Sequence, residues 1–554
     1  MVGLLPLLFV GCVSSPDDKP DSGAVASVSS PTAATGVGTT AVGLTPPGTG
    51  SGAPTGGSTP QLTSEPVIAH PDPGVGLARV LELELTAPVA VRVALDDGAT
   101  RRELAFSDVA SAHRLPLLGL TPSTAYTVDI TTDPPGGDAS LAFETAPIPD
   151  DFPVFDLLVH DEARSEPGWT LLAPKSGDLA FMIVLDEQLQ PAWYYRQPGG
   201  MTDVRVGPHG DFWATGSAGV IRISPAEGKR ASWGPIEGDA DAVEVDVLSL
   251  HHSVVPQADG SFWALSYGSF EAADHPQSYN PSDPLGRQRV ADVEVVHVLP
   301  DGEVAERLGL ADVLDRRRLA WDALDEQRDF GVDWCHGNAL ELDLSRRVAL
   351  VGMRHQDAVI ELDLDTGEPN WILANASGWT PALDEHRLQA TGPLSWPFHP
   401  HAPKWGVDDS ILMFDNRNVL NTPYDGAQEQ GTASRIVRYA VDAARMQVQE
   451  VWSYDETLTG TLLAETMGDA DDLPLTGNVL ATFGNLKGEA ELANPSRGWG
   501  DASARIIEVD PELPESPALD LRVRSERSLN RRGWNVYRSE RIPAGLYPEG
   551  TLVD

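Results

Sequence analysis

The chain has 554 residues, 82 of them acidic against 39 basic, for a formal net charge of −43. That length holds more than one domain and a large core, while so acidic a surface repels nucleic acid and anionic membranes and argues against both as partners. The 14 Trp, 52 Gly and 45 Pro, with few long helical patterns, predict an all-β protein rich in turns.

The first segment, "MVGLLPLLFVGC", is a short apolar run ending in Gly-Cys. It is too short to span a bilayer and resembles a bacterial lipoprotein signal with "FVGC" as its lipobox. The resemblance implies a signal over residues 1–12, lipid on the Cys12 thiol, and an exported protein of the cell envelope, at the outer membrane and facing the periplasm or the surface. Membrane contact is then expected through the anchor only. Residues 13–66 are rich in Ser, Thr, Gly and Pro and nearly free of large apolar side chains. Such a tract cannot bury enough surface to fold and is expected to be a disordered tether. The second cysteine, Cys335, is left without a partner, so neither an intrachain disulfide nor a thiolate metal site is expected.

From residue 67 to 148 the pattern becomes short and alternating, as in "RVLELELTAPVAVRVALDDG" and "ASLAFETAP". It predicts the antiparallel strands of a small β-sandwich. The stretch "LLGLTPSTAYTVDI" resembles fibronectin type III domains. No cluster of His, acid or nucleophile accompanies it, so this domain reads as a spacer or docking module.

Residues 151–554 carry an internal repeat: an apolar strand, a turn, and a strand often containing Trp. The six copies start at Phe181, Val220, Val293, Val359, Arg435 and Ala504, and most follow a further strand such as "WGVDDSILMFDN". Four antiparallel strands per repeat, arranged radially, predict a six-bladed β-propeller. The C-terminal "GWNVYRSERIP" is placed to close the ring on the first blade.

Three successive repeats carry a histidine at nearly the same position. His401 lies ten residues before Ile411, His252 ten before Phe262, and His336 twelve before Val348. Read as leading into the inner strands of a propeller, they converge on one central channel. Arg354 at the end of one such strand and Asn338 beside His336 join them. His399, His355 and His251 break the register and read as neighbours. Asp469 and Thr202 share the histidines' repeat position without an assigned role. Zinc held by three His is one chemistry for such a set, although no helical His pair and no Glu close in sequence accompany it. Transfer of an anionic group is the other: a neutral imidazole attacks, Arg and Asn hold the anionic oxygens, and a second His protonates the leaving group.

The stretch "DWCHGNALELD…VGMRHQDAVIELDLDTGEPNWIL", followed by "HPHAPKWGVDDSILMFDN", resembles the bacterial aryl-sulfate sulfotransferases, over about residue 151 to the end. The resemblance implies a sulfuryl group moved from an aryl sulfate donor to a phenolic acceptor in two half-reactions, without the nucleotide sulfate donor, another cofactor or a metal. His401 is then the nucleophile that becomes sulfated, supported by His252, His336, Arg354 and the substrate-binding Asn338. Pro400 stands where the family more often has Gln. Two other readings use the same residues: a non-catalytic, lipid-anchored propeller that binds a sulfated or phosphorylated ligand, and a quinone-dependent dehydrogenase suggested by the single turn "DLDTGEPNW".

Overall fold

The computed structural model describes residues 59–216, 219–235, 241–457, 460–486, 502–525, 533–547 and 551–553. The apolar run ending at Cys12 and the tract as far as residue 58 lie outside the described residues. Among the described residues no helix is long and apolar enough to cross a membrane.

Among the described residues the regular structure is almost all β-strand, and six sheets follow one another along residues 154–542. Each has a lead strand followed by a meander. The lead strands are Asn535–Ile542, Met201–Val206, Leu250–Pro256, Gly337–Asp343, Pro400–Trp405 and Asp469–Asp472. In that order each touches the next, and the last touches the first, which gives the closed radial array of a β-propeller. Ring closure is a strand exchange at both chain ends. Asn535–Ile542 pairs with Trp169–Ser176 to lead the first sheet, and Val154–His160 pairs with Leu519–Arg524 at the outer edge of the sixth.

The six apolar repeats are the third and fourth strands of these sheets, from Leu179–Leu185 with Pro191–Pro198 to Ser503–Val509 with Leu519–Arg524. Neighbouring sheets cover both of their faces, so their central strands are apolar throughout rather than alternating. Val348–Met353 is buried at every residue, and removing such a run from water is the main force holding the array. The strands beginning near Phe262, Val348 and Ile411 are therefore second strands, and the histidines lie on or just before the lead strands themselves. Counting from the second strand still finds their register, because each lead strand pairs with it antiparallel.

Segment 67–148 forms one hydrogen-bonded sheet built on Arg79–Asp96 and Arg101–Leu117, whose pairing shifts between Glu84 and Val91. It does not stand apart from the propeller. Val75–Gly76 adds a strand to the first propeller sheet through Tyr194 and Tyr195, while Leu552–Val553 returns to pair with Glu103 and Leu104. One apolar core runs from Leu81 and Val93 to Phe181, Ile183 and Trp534. Gly76 permits the junction, since a Cβ there would lie 1.9 Å from the Tyr194 ring.

Candidate active site

Three lead strands deliver the histidines, and each strand is irregular where it does so. Pairing shifts between His251 and Val254, between Gly337 and Ala339, and between His401 and Lys404. His252 (φ 58), His336 (φ 46) and Ala402 (φ 47) are left-handed. Side chains with a Cβ rarely adopt that region, and each instance costs about 1–3 kcal/mol. The bulges re-aim side chains that a regular strand would alternate between its two faces.

The result is a compact group of rings. His252 lies 5.1 Å from His336 between centroids, and Tyr537 of the closing strand lies 6.0 Å from His252 and 6.2 Å from His401. The Tyr537 hydroxyl donates to the Asn338 carbonyl at 2.5 Å. Asn338 in turn donates its amide to the Pro400 carbonyl at 2.8 Å, tying the lead strand Gly337–Asp343 to the residue before His401.

His401 has a defined tautomer. Its Nδ1 lies 2.6 Å from Asn416 Oδ1, and Asn416 Nδ2 donates to the carbonyls of Ala464 and Met467. The Asn416 oxygen is therefore the acceptor, and His401 carries its proton on Nδ1. Nε2 keeps a lone pair whose one partner is a long 3.3 Å contact from the Met467 N–H. Burial, followed by the positive Arg354 and His336, lowers the His401 pKa to about 3, so the ring is neutral near pH 7.

His336 is in the opposite condition. Its Nδ1 donates to Asp333 Oδ2 at 2.8 Å and lies 3.3 Å from Glu326 Oε2. Burial pulls its pKa down, but Asp333 and Glu326 outweigh burial and raise it. Asp333 is held in place by Tyr267 OH at 3.0 Å and by Arg328 through Nε at 3.0 Å and Nη2 at 2.9 Å. The third sheet positions it: the hairpin Phe262–His275 and Gly286–Val298 runs on past the sheet, and Gly331–Asp333 pairs parallel to it at Val290 and Ala291.

His252 shares a 2.6 Å Nδ1···Nδ1 contact with His251, whose Nε2 is buried without a partner among the described residues. The arrangement that strands no buried N–H has His251 donating from Nδ1, which puts the His252 proton on Nε2. Burial, then the neighbouring His251 and His336, lower the His252 pKa. Arg354 follows the second strand of the fourth sheet in a short 3-10 turn. It donates to Asp322 Oδ2 at 3.0 Å and to His355 Nε2 at 2.6 Å, while its buried Nε–H has no partner among the described residues.

The structure thus brings His252, His336, His401, Arg354 and Asn338 together. His399 is engaged at both ring nitrogens, with Asn418 Oδ1 at 2.9 Å and the Trp321 carbonyl at 3.1 Å. His355 joins Arg354 to the Asp333 carbonyl, and His251 stacks on Tyr267 at 3.9 Å. Asp469 pairs with Lys404 and Arg538 and Thr202 bonds Thr215, so neither bonds a histidine. Sequence reasoning missed Asp322, Glu326, Asp333, Asn416 and Tyr537. It also found no Glu beside the histidines, yet Glu326, ten residues before His336, reaches it across the fold. Asp333 and Asn416 had a visible signal, as the first residue of "DWCHGN" and the last of "ILMFDN".

Glu326, His336 and His355 place ligand atoms within 4.8 Å of one another. A metal ion does not fit this set as it stands. The His355 Nε2 lone pair is taken by Arg354, and that guanidinium holds the position where a cation would sit. Cys335, the other soft donor nearby, is buried with a free thiol.

No curated protein matches the chain at significance. Solved structures aligned with it include the β-propeller domain of Cps50 (Swd1) from Myceliophteria thermophila, at 11% identity over 69% of this chain and 99% of that one, TM-score 0.32. A putative 6-phosphogluconolactonase from Bacteroides uniformis aligns at 9% identity over 82% and 100%, TM-score 0.30. The family model described as Arylsulfotransferase (ASST) matches residues 174–532, well over half of the sequence, and spans His252, His336, Asn338, Arg354 and His401 but not Tyr537. The chain belongs to the arylsulfotransferase family.

Proposed function

We propose that this protein transfers a sulfuryl group from an aryl sulfate ester to a phenol by a ping-pong route through a sulfohistidine at His401. In the first half-reaction His401 Nε2 attacks sulfur, the N–S bond forms, and the S–O bond to the aryl group breaks. The departing phenolate takes the proton of His336, and the donor phenol leaves. In the second half an acceptor phenol gives its proton to His336, its oxygen attacks sulfur, and the N–S bond breaks to regenerate His401. The Arg354 Nε–H, the His252 Nε2–H and the second amide N–H of Asn338 hold the sulfuryl oxygens, where charge develops.

The observation that carries this reading is the opposed protonation of two nearby imidazoles. His401 is neutral with its lone pair on Nε2, and His336 is shifted toward its charged form by carboxylates. A nucleophile and a proton donor working at one pH need that division. The test is incubation with a chromogenic aryl sulfate and a phenol. Release of the donor phenol, with the sulfate recovered on the acceptor, supports the reading; binding of aryl sulfates without turnover overturns it in favour of a binding propeller.

The run ending at Cys12 supports a second proposal, a lipid anchor that keeps the enzyme in the cell envelope. Incorporation of a fatty-acid analogue, lost in Cys12→Ser, is the expected outcome; equal labelling of both proteins contradicts it.

A further inference from the structure

The segment from residue 310 to 333 sends four charged side chains into the site, and their arrangement separates two roles that one carboxylate cannot fill. Asp333 Oδ2 accepts from His336, but it also accepts from Tyr267 and twice from Arg328. The Arg328 guanidinium therefore already balances Asp333. Asp322 balances Arg354 in the same way at 3.0 Å. A proton on buried His336 then has no countercharge from either pair, and an uncompensated charge in such a place is strongly disfavoured. The remaining carboxylate is Glu326. Its Oε2 lies 3.3 Å from His336 Nδ1 and 3.0 Å from Arg328 Nη2, while Oε1 faces Arg354 Nη1 at 3.7 Å and His355 Nε2 at 3.8 Å.

We propose that Glu326 is a positioning residue that supplies the net negative charge holding His336 in its protonated form, so that His336 rather than His252 is the proton donor to the leaving phenolate. The inference rests on the sulfotransferase reading for its function, though not for its electrostatics. The groups that face His336 are Asp333, Glu326 and Arg328 from the 310–333 segment, His251 and His252 from the second lead strand in sequence, His355 and Arg354 from the 3-10 turn, and His401 across the channel. Of these only Asp333 and Glu326 are negative, and Arg328 and Arg354 are positive. With Glu326 the carboxylates Asp322, Glu326 and Asp333 balance both guanidiniums and one imidazolium. Without it they balance the guanidiniums alone.

Two substitutions then act in opposite directions. Glu326→Gln removes the surplus negative charge and lowers the His336 midpoint by about one pH unit or more. Arg328→Gln frees Asp333 and raises it. Glu326 is partly exposed and Arg328 less so, so each substitution changes a side chain that already reaches solvent. The midpoint is read without turnover, by pH titration of the His336 ring resonances in histidine-labelled protein, assigned with His336→Gln. Opposite shifts in the two variants are expected; equal midpoints, or shifts of the same sign, overturn the proposal. Turnover supplies the second readout. With an unactivated phenyl sulfate the alkaline limb of kcat/KM should move with the midpoint, and the loss of rate in Glu326→Gln should be larger with that substrate than with 4-nitrophenyl sulfate, whose leaving group needs no proton. If midpoints shift but no aryl sulfate is turned over, the sulfotransferase reading fails and the role of Glu326 stands. If aryl sulfates turn over and both midpoint and limb stay put, Glu326 has no such role.

Discussion

The Nδ1–H of His401 is given to Asn416 Oδ1 at 2.6 Å, and Asn416 has no freedom to turn, because its amide nitrogen is committed to the Ala464 and Met467 carbonyls. One side chain just past the end of the next strand, Ser410–Asp415, therefore decides which nitrogen can attack. Asn416→Asp would replace that neutral acceptor by a carboxylate and favour the imidazolium. In the wild type the His401 pKa is about 3, so its protonation leaves the rate unaffected above pH 5. In Asn416→Asp an acidic limb should enter the range pH 5–7, with kcat/KM falling about tenfold per unit below it. A pH–rate profile unchanged from wild type would contradict this assignment.

Arg354 has its own carboxylate in Asp322 and still keeps a buried Nε–H without a partner among the described residues. A buried donor left open in a fixed direction suits charge that appears only during reaction. Arg354→Lys keeps a positive charge but loses the fork, and should lower kcat by about 10²- to 10³-fold with a smaller change in KM. Steady-state kinetics decide it: a rise in KM with kcat unchanged would mean that Arg354 only helps substrate bind.

The channel beyond the histidines is filled by charge. Lys404 is paired with Asp469 and Asp471, and Arg538 with Asp203, Asp469 and Glu341. Burial first, then the nearby Asp469, raises the Asp471 pKa to about 8, against the pull of Lys404; Glu540 is raised too, chiefly by burial. A carboxyl protonated when folded and ionised when unfolded makes stability fall as pH rises from about 4 through 8. Asp471→Asn should reduce that slope, leaving the part due to Glu540, and stabilise the protein at pH 7 by on the order of 2 kcal/mol. Denaturant melts at pH 5, 7 and 8.5 measure it, and a variant that keeps the wild-type slope would refute it.

The strand Asn535–Ile542 both leads the first sheet and brings Tyr537 between His252 and His401. A chain ending at Gly533 should lose the cooperative melt of the whole array, because Trp169–Ser176 becomes an open edge and Val536, fully buried, leaves the core. Calorimetry showing one sharp transition at the wild-type temperature would contradict this role.

The outer parts of each blade were legible in the sequence because their chemistry is simple. Strands such as Val348–Met353 and Leu179–Leu185 are covered on both faces, so they read as unbroken apolar runs between turns. The lead strands were not, for the converse reason. Asp469–Asp472 is "DADD" and Met201–Val206 is "MTDVRV"; they face a channel where charges pair with charges, so no apolar pattern marks them. The shared register of His252, His336 and His401 survived that difficulty because it was counted from the apolar strand next door. It also separated His401 from His399, whose ring nitrogens are both engaged elsewhere. Glu326 and Asp322 had no such handle. They come from an irregular segment carried on an overlong hairpin of the third sheet, where position in the repeat says nothing about position in space. The pairing of segment 67–148 with the propeller sheet and with Leu552–Val553 likewise had no handle, since two-residue strands such as Val75–Gly76 leave no trace in sequence.

The central claim is that His401 carries the sulfuryl group between the two half-reactions. Wild-type protein exposed to an aryl sulfate without acceptor, quenched and digested, should yield the His401 peptide with the mass of one added sulfuryl group. Adding a phenol should remove it, and His401→Asn should never acquire it. Phenol release with no such mass gain, or the gain found on a His252 or His336 peptide instead, would contradict the account.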